Sequence, residues 1–218
     1  MTLAEENYIK AIFHIEQETR KGASTSAISK HLNTRAASVS DMLRKLSDKK
    51  LISYEKYYGA SLTKKGVQQA VMIIRRHRLW ETFLVEKLHF GWDEVHEVAE
   101  DLEHIKNDQL IKALDEFLGH PKVDPHGDPI PDSNGQWTTV EKKLLSECHE
   151  NDEGSIIGVK DSSADFLQLL DKREIAIGSR FEIQSIESFD GSINILMDGK
   201  PMLLTNQLAN NLFASVSN

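Results

Sequence analysis

The residues of this chain best suited to chemistry are imidazoles and carboxylates at helical spacing. His77 and Glu81 are four apart, and His96, Glu100, Glu103 and His104 follow at i, i+4, i+7 and i+8. On a helix, that second set projects from one side. Imidazole nitrogens and carboxylate oxygens converging in this way suit a divalent first-row metal ion. An ordinary wet helix face would show the same spacing, because Val95, Val98, Leu102 and Ile105 form an apolar stripe on the other side. Spacing alone leaves both readings open.

These residues need a helical frame, and the sequence supplies one between about 66 and 118. Apolar periodicity predicts a long helix from Val67 to about His89 and one or two more between Asp93 and Leu118. A breaker-rich stretch follows, with four of the five prolines between Pro121 and Pro131. Beyond it, a short helix through Leu144 and Leu145 precedes alternating runs at Ile156–Val159, Arg180–Ile186 and Ser192–Met197, with Asp190-Gly191 and Asp198-Gly199 as hairpin turns. This reads as a small β-barrel-like module.

The amino-terminal third reads differently. Thr2 and Glu5 have the spacing of a capping box, and Tyr8, Ile9, Ile12, Phe13 and Ile15 line the apolar side of the helix they open. Ser24-Thr25 signals a second helix carrying Ile28 and Leu32, with a break at Asn33-Thr34. A third helix, about Arg35 to Lys50, carries Val39, Leu43 and Leu46, and a hairpin turning near Gly59 follows. Short helices, a tight turn and a hairpin make a winged helix-turn-helix. Its recognition helix would set Arg35, Ser38 and Ser40 against base edges, with Arg44, Lys45, Lys56 and Lys64 on phosphates.

Charge agrees with that division. The total is −8, yet residues 1–75 carry 13 Lys and Arg against 7 Asp and Glu, while residues 76–218 carry 13 against 27. A basic first third joined to an acidic remainder fits a DNA reader attached to a sensing part. Cys148 is the only cysteine, which excludes an internal disulfide framework and a zinc finger of paired cysteines. No apolar run reaches the 18 or so residues that span a membrane, and the start lacks the basic and apolar regions of a signal peptide. The expectation is a cytoplasmic protein without a membrane partner.

Several stretches together resemble the diphtheria toxin repressor family of bacterial iron- and manganese-dependent repressors. They are Tyr8-Ile-Lys-Ala-Ile-Phe, Ala37-Ser-Val-Ser-Asp-Met-Leu, Leu62-Thr-Lys-Lys-Gly66, His77-Arg-Leu-Trp-Glu81, Glu100-Asp-Leu-Glu103-His104 and Pro125-His-Gly-Asp-Pro-Ile-Pro131. Phe166-Leu-Gln-Leu-Leu-Asp171 and Ile177-Gly-Ser resemble the family's SH3-like (FeoA-like) domain. The resemblance implies a mainly α fold with a small β part. Residues 1–65 would form the winged helix-turn-helix, 66–138 a helical metal-binding and dimerisation domain with its proline-rich linker, and 139–218 the SH3-like domain.

It further implies a homodimeric repressor of metal uptake genes, not an enzyme, that binds Mn²⁺ or Fe²⁺ and then grips a double-stranded DNA operator. Carried over by position, one metal site would use His77, Glu81 and His96, with Asp165 from the SH3-like domain. A second would use Glu100, Glu103, His104 and Asn7. Iron-responsive members have a cysteine where Glu100 stands, so an all-oxygen and nitrogen set favours the harder Mn²⁺. Lys10 stands where some manganese-type members have a glutamate and cannot ligate while charged. Ser162 likewise replaces a glutamate of some members, and Cys148 matches no ligand position. Two rival readings are a metal-independent winged-helix regulator sensing a ligand through its carboxy-terminal module, and a di-metal carboxylate enzyme. Glu100-x-x-Glu103 lacks the Glu-x-x-His pattern the second would need.

Overall fold

Helix α1 (Leu3–Thr19) begins on the capping box its sequence spells. The Thr2 hydroxyl accepts from the Glu5 amide at 3.3 Å, and the Glu5 carboxylate accepts from the Thr2 amide at 3.0 Å. Ser24 caps α2 (Thr25–His31) by accepting from the Ala27 amide at 3.1 Å. After a left-handed Asn33, α3 (Ala36–Asp48) buries Val39, Leu43 and Leu46. Strands β1 (Ile52–Glu55) and β2 (Gly59–Leu62) pair antiparallel, from Ile52 opposite Leu62 to Glu55 opposite Gly59. The computed structural model describes residues 1–55, 59–137 and 142–217.

The wing runs almost directly into α4 (Lys64–Leu88), and the join is tight. The Thr63 hydroxyl donates to the Lys50 carbonyl at 2.9 Å and accepts from the Gly66 amide at 3.1 Å, so it caps α4 while tying it to the end of α3. A Cβ at Gly66 would lie 2.0 Å from the Leu51 carbonyl oxygen, so only glycine lets the helix start this close to the chain before β1.

The chain divides into two compact units. The first comprises residues 1–77, 100–111 and 131–136, and its core joins Ile9, Ile12, Ile28, Leu43, Leu46 and Ile73. The second comprises residues 78–99, 112–130 and 137–218. Helix α4 passes through both, as does α6 (Asp108–Phe117). Between them lies α5 (Val95–Leu102), which ends before Glu103 and His104, so these two sit in the following turn and not on the expected helix face.

The second unit holds an antiparallel six-stranded sheet in the order β3-β8-β4-β5-β6-β7. Its strands are β3 (Lys143–Leu144), β4 (Glu153–Val159), β5 (Arg180–Ile186), β6 (Ile193–Met197), β7 (Lys200–Leu204) and β8 (Leu212–Val216). Helix α7 (Ala164–Lys172) adds Leu167 and Leu170 to a core with Ile156, Phe181, Ile183 and Ile195, and α8 (Asn206–Ala209) precedes β8. Burial alternates along β6, as a strand with one covered face requires. Asp198 and Gly199 both have positive φ, the conformation of a two-residue hairpin turn.

Leu144 and Leu145 do not form the expected short helix: Leu144 closes β3, and Leu145 opens a single 3₁₀ turn, Leu145–Glu147. The turn leaves Cys148 buried, its Sγ 3.7 Å from the Leu144 carbonyl oxygen, and burial raises the thiol pKa. Among the described residues, no helix is long and apolar enough to cross a membrane.

Lys49 holds Glu5 at 2.6 Å, and this pairing, against the opposing effect of burial, lowers the Glu5 pKa from 4.5. A lowered pKa means that the stabilisation is present above pH 4.5 and is lost as pH falls through the folded-state value. Replacing Glu5 with Gln should cost about 1 kcal/mol at pH 7 in denaturant unfolding, with the difference from the parent closing in acid. A difference independent of pH would assign the effect to the cap and not the ion pair.

Candidate metal centre and nucleic-acid interface

In the first unit, Glu103 is the focus. Its side chain is 0% exposed, and a carboxylate so placed must be compensated. His77 Nδ1 stands 2.7 Å from one of its oxygens, and the Lys10 ammonium is 2.8 Å away. Burial alone would raise the Glu103 pKa, but His77 and Lys10 outweigh it and hold the acid below its ordinary value. Lys10 also reaches exposed Glu100, at 3.2 Å.

His104 is oriented by a residue that helical spacing did not single out. Buried Glu6, on α1, meets His104 Nδ1 at 2.8 Å, which leaves Nε2 on the Glu103 side, 3.8 Å from that carboxylate. A carboxylate behind an imidazole is the usual means of fixing a ligand histidine's tautomer and ring angle. Glu6 is itself neutralised by Lys106 at 2.8 Å and Arg76 at 3.6 Å. The Asn7 side-chain oxygen is buried without a hydrogen-bond partner among the described residues, which is what a neutral ligand oxygen awaiting a cation would show.

In the second unit, buried Glu81 is met by His96 Nδ1 at 3.2 Å and by His126 Nδ1 at 3.8 Å. His77 lies one turn before Glu81 on α4, so their side chains share a helix face. His96 is 55% exposed. Ligand atoms of Glu81, Asp124 and His126 all lie within 4.8 Å of one another. Asp165, on α7, is exposed.

Helical spacing does not single out Asp124 and His126 as partners of Glu81, although His126 lies in the Pro125–Pro131 stretch that carries the family resemblance. The Asp124 carboxylate accepts from the His126 and Asp128 amides, each at 2.9 Å, which curls the loop. Arg78 clamps it, reaching Asp124 at 3.3 Å, Asp128 at 3.2 Å and the Pro129 carbonyl at 2.5 Å. On its other side, the Val159 amide of β4 donates to the His126 carbonyl at 3.0 Å, and a Cβ at Gly127 (φ +82°) would lie 2.0 Å from the Ile157 carbonyl oxygen.

The loop thus delivers the His126 ring to Glu81, with Nε2 donating to the Trp92 carbonyl at 2.7 Å. Burial opposes charge on this ring, but Glu81, Asp124 and the Trp92 carbonyl raise its pKa to about 9. Full burial raises Asp124 to about 6, against the pull of Arg78. Trp92 in turn donates its indole N–H to Asp171 on α7 at 3.1 Å, so the Glu81 carboxylate is linked to α7 through the His126 ring and the backbone and indole of Trp92.

Most of the described nucleic-acid candidates are exposed. Arg35, Ser38, Arg44 and Lys45 are exposed along α3, and Lys64 is exposed at the start of α4. Arg35 gives α3 no side-chain cap, so the free amides of its first turn remain available to an anion. Ser40 instead donates to the Ala36 carbonyl at 3.1 Å, and Arg44 contacts Asp41 at 3.3 Å. Lys56 lies outside the described residues.

Family models match the chain in succession. Residues 1–60 match the iron dependent repressor, N-terminal DNA binding domain; 63–132 its metal binding and dimerisation domain; and 143–216 the FeoA domain. The chain is 46% identical over 71 residues to a "Probable metal transport system membrane protein" of Chlamydia trachomatis, covering 33% of this chain and 16% of that protein. It is 30% identical over 128 residues to the iron-dependent repressor IdeR of Mycobacterium tuberculosis, covering 58% and 54%. The chain thus spans about half of IdeR and a small part of the chlamydial protein. Among solved structures, a "Manganese-dependent transcriptional repressor complex with manganese" superposes with a TM-score of 0.87 at 32% identity, covering 97% of this chain and 99% of that one.

The seat of Gly127 gives a prediction. Gly127→Ala should destabilise the second unit by about 3 kcal/mol, through a strained φ and a backbone collision, and lower the thermal midpoint by several degrees. A melt indistinguishable from the parent would mean that the loop is not seated on β4.

Proposed function

We propose that this chain, which belongs to the iron-dependent repressor family that includes the diphtheria toxin repressor, is a manganese-activated repressor of metal uptake genes, with Fe²⁺ as the alternative ion. The observation that carries this reading is the place of the buried donors. His77 and Glu81 lie on α4, the helix that continues from the wing, so a change at the donors acts on the segment that follows the DNA-reading elements.

In this reading, residues 1–65 read DNA, 66–138 bind metal and dimerise, and 139–218 form the SH3-like module. His77, Glu81 and His96 hold one ion, with Asp165 from α7 as a further donor. Asn7, Glu100, Glu103 and His104 hold a second. The donors are carboxylates, imidazoles and one amide oxygen, a set suited to Mn²⁺ or Fe²⁺, and Glu100 in place of a thiolate favours Mn²⁺. The bound ion supplies positive charge that draws anionic donors together.

The chain's own residues do the rest. Glu6 and His126 fix His104 and Glu81, and α4 carries the change to the wing. With an ion held by these donors, the population would shift toward the DNA-competent form by the ion's differential affinity for that form. Exposed Phe117 (65%) and Leu88 offer apolar surface for a two-fold partner, as paired operator half-sites require. Arg35, Ser38 and Ser40 face bases, while Arg44, Lys45, Lys56 and Lys64 meet phosphates. Regulation by DNA binding needs no catalytic step, and the protein is proposed to work in the cytoplasm.

The test is capture of the organism's pooled intergenic DNA with chelator, with Mn²⁺ and with anaerobic Fe²⁺. Selective capture with metal alone supports the reading, and equal capture with chelator discards the metal switch. His96→Ala, at an exposed position the fold tolerates, should weaken metal-stimulated DNA binding at least about tenfold. Unchanged stimulation would remove His96 from the site. Arg44→Ala should weaken binding across sequences and lower the salt slope by about 1. An undiminished slope places Arg44 off the phosphates.

A further inference from the structure

We propose that the Lys10 ammonium is a resident cation of the Glu100 and Glu103 pair, so that this site accepts a divalent ion only by expelling it. The inference rests on the reading of Glu100, Glu103, His104 and Asn7 as metal donors. The Lys10 ammonium stands 2.8 Å from Glu103 and 3.2 Å from Glu100, contacting both carboxylates assigned to the ion. Consistent with this, Glu100, Glu103 and His104 are not among the described sets that bring three ligand atoms within 4.8 Å of one another.

Three carboxylates, Glu6, Glu100 and Glu103, face three permanent cations, Lys10, Arg76 and Lys106. An ammonium has three donors and no lone pair, so it cannot enter a metal's coordination sphere. At contact distance it repels a divalent ion strongly in a partly buried setting. Asn7 brings an oxygen but no charge to offset that repulsion. The Lys10 side chain is 13% exposed, so expulsion means swinging its four-carbon stem out of a largely covered position into water. The free-ion concentration at which this site fills is therefore set partly by Lys10.

The test uses the full chain carrying His96→Ala, which weakens the other donor set. Lys10→Met and Lys10→Gln are compared with that parent by Mn²⁺ titration calorimetry and by thermal melts in chelator. Both variants should bind Mn²⁺ about tenfold or more tightly, and should melt roughly 5 °C lower without metal, because Glu103 loses its permanent counter-charge. The Gln variant retains a polar side chain and keeps the comparison available if the Met variant does not fold.

In the protein without substitutions, acetylation of Lys10 by acetic anhydride, read by mass spectrometry, should quicken several-fold when Mn²⁺ is added. Mn²⁺ bound with equal affinity by parent and variants, or an acetylation rate indifferent to bound Mn²⁺, overturns the role of Lys10 and leaves the metal reading standing. Absence of Mn²⁺ binding in parent and variants alike overturns the assignment of these donors, and this inference with it.

Discussion

Buried negative charge is the constraint to which the rest of this molecule answers. Glu81 and Glu103 are each removed from water, and an ionised carboxylate in that position is tolerated only with cations and hydrogen-bond donors around it. Around Glu103 the sequence supplies Lys10 and His77, and around Glu81 it supplies His96 and a His126 whose pKa is raised to about 9. Much of the remaining structure holds these partners in place. The Pro125–Pro129 loop, its clamp by Arg78 and its seat on β4 deliver one imidazole, and α1 delivers Glu6 behind another.

The same constraint explains the proportions of α4. A helix from Lys64 to Leu88 is longer than the winged helix needs for its own core. Its first turns bury Ala70, Val71, Ile73 and Ile74 in one core with Ile9, Ile28, Val39 and Leu43 of α1–α3, while its later turns carry His77 and Glu81. One continuous hydrogen-bonded rod therefore bears both the wing's support and the ionisable groups. Thr63 and Gly66 fix where that rod begins.

The local grammar of the fold was legible in the sequence. The capping box at Thr2, the Ser24 cap, the apolar spacing of α3 and the Asp198-Gly199 turn each depend on residues a few positions apart, and each appears where expected. Strand β7 does not show as an alternating run in Lys200-Pro-Met-Leu-Leu204, and its Pro201 is tolerated because β7 lies at the sheet edge, where a missing amide costs no ladder bond. The Leu144–Leu145 helix failed because two adjacent leucines fit a helix turn and a buried strand end equally well. At the site, helical spacing found the donors but not what stands behind them. Glu6 looked like one more acidic residue of a first helical turn, and Asp124 and His126 sat among prolines where no periodicity exists. Their roles arise from contacts across 98 residues for Glu6 and His104, and from the loop's fold onto Glu81 for the others.

Cys148 sits beneath the short 3₁₀ turn with its thiol directed at a carbonyl and its pKa raised. Oxidants and electrophiles attack the thiolate, and a buried, protonated thiol offers little of it. With no other cysteine in the chain, two copies have no ready means of cross-linking through a disulfide, and oxidants are left the methionine thioethers, of which Met1 is exposed. Burial of this one thiol therefore separates its oxidation from occupancy of the proposed metal donors, so that neither event reports on the other.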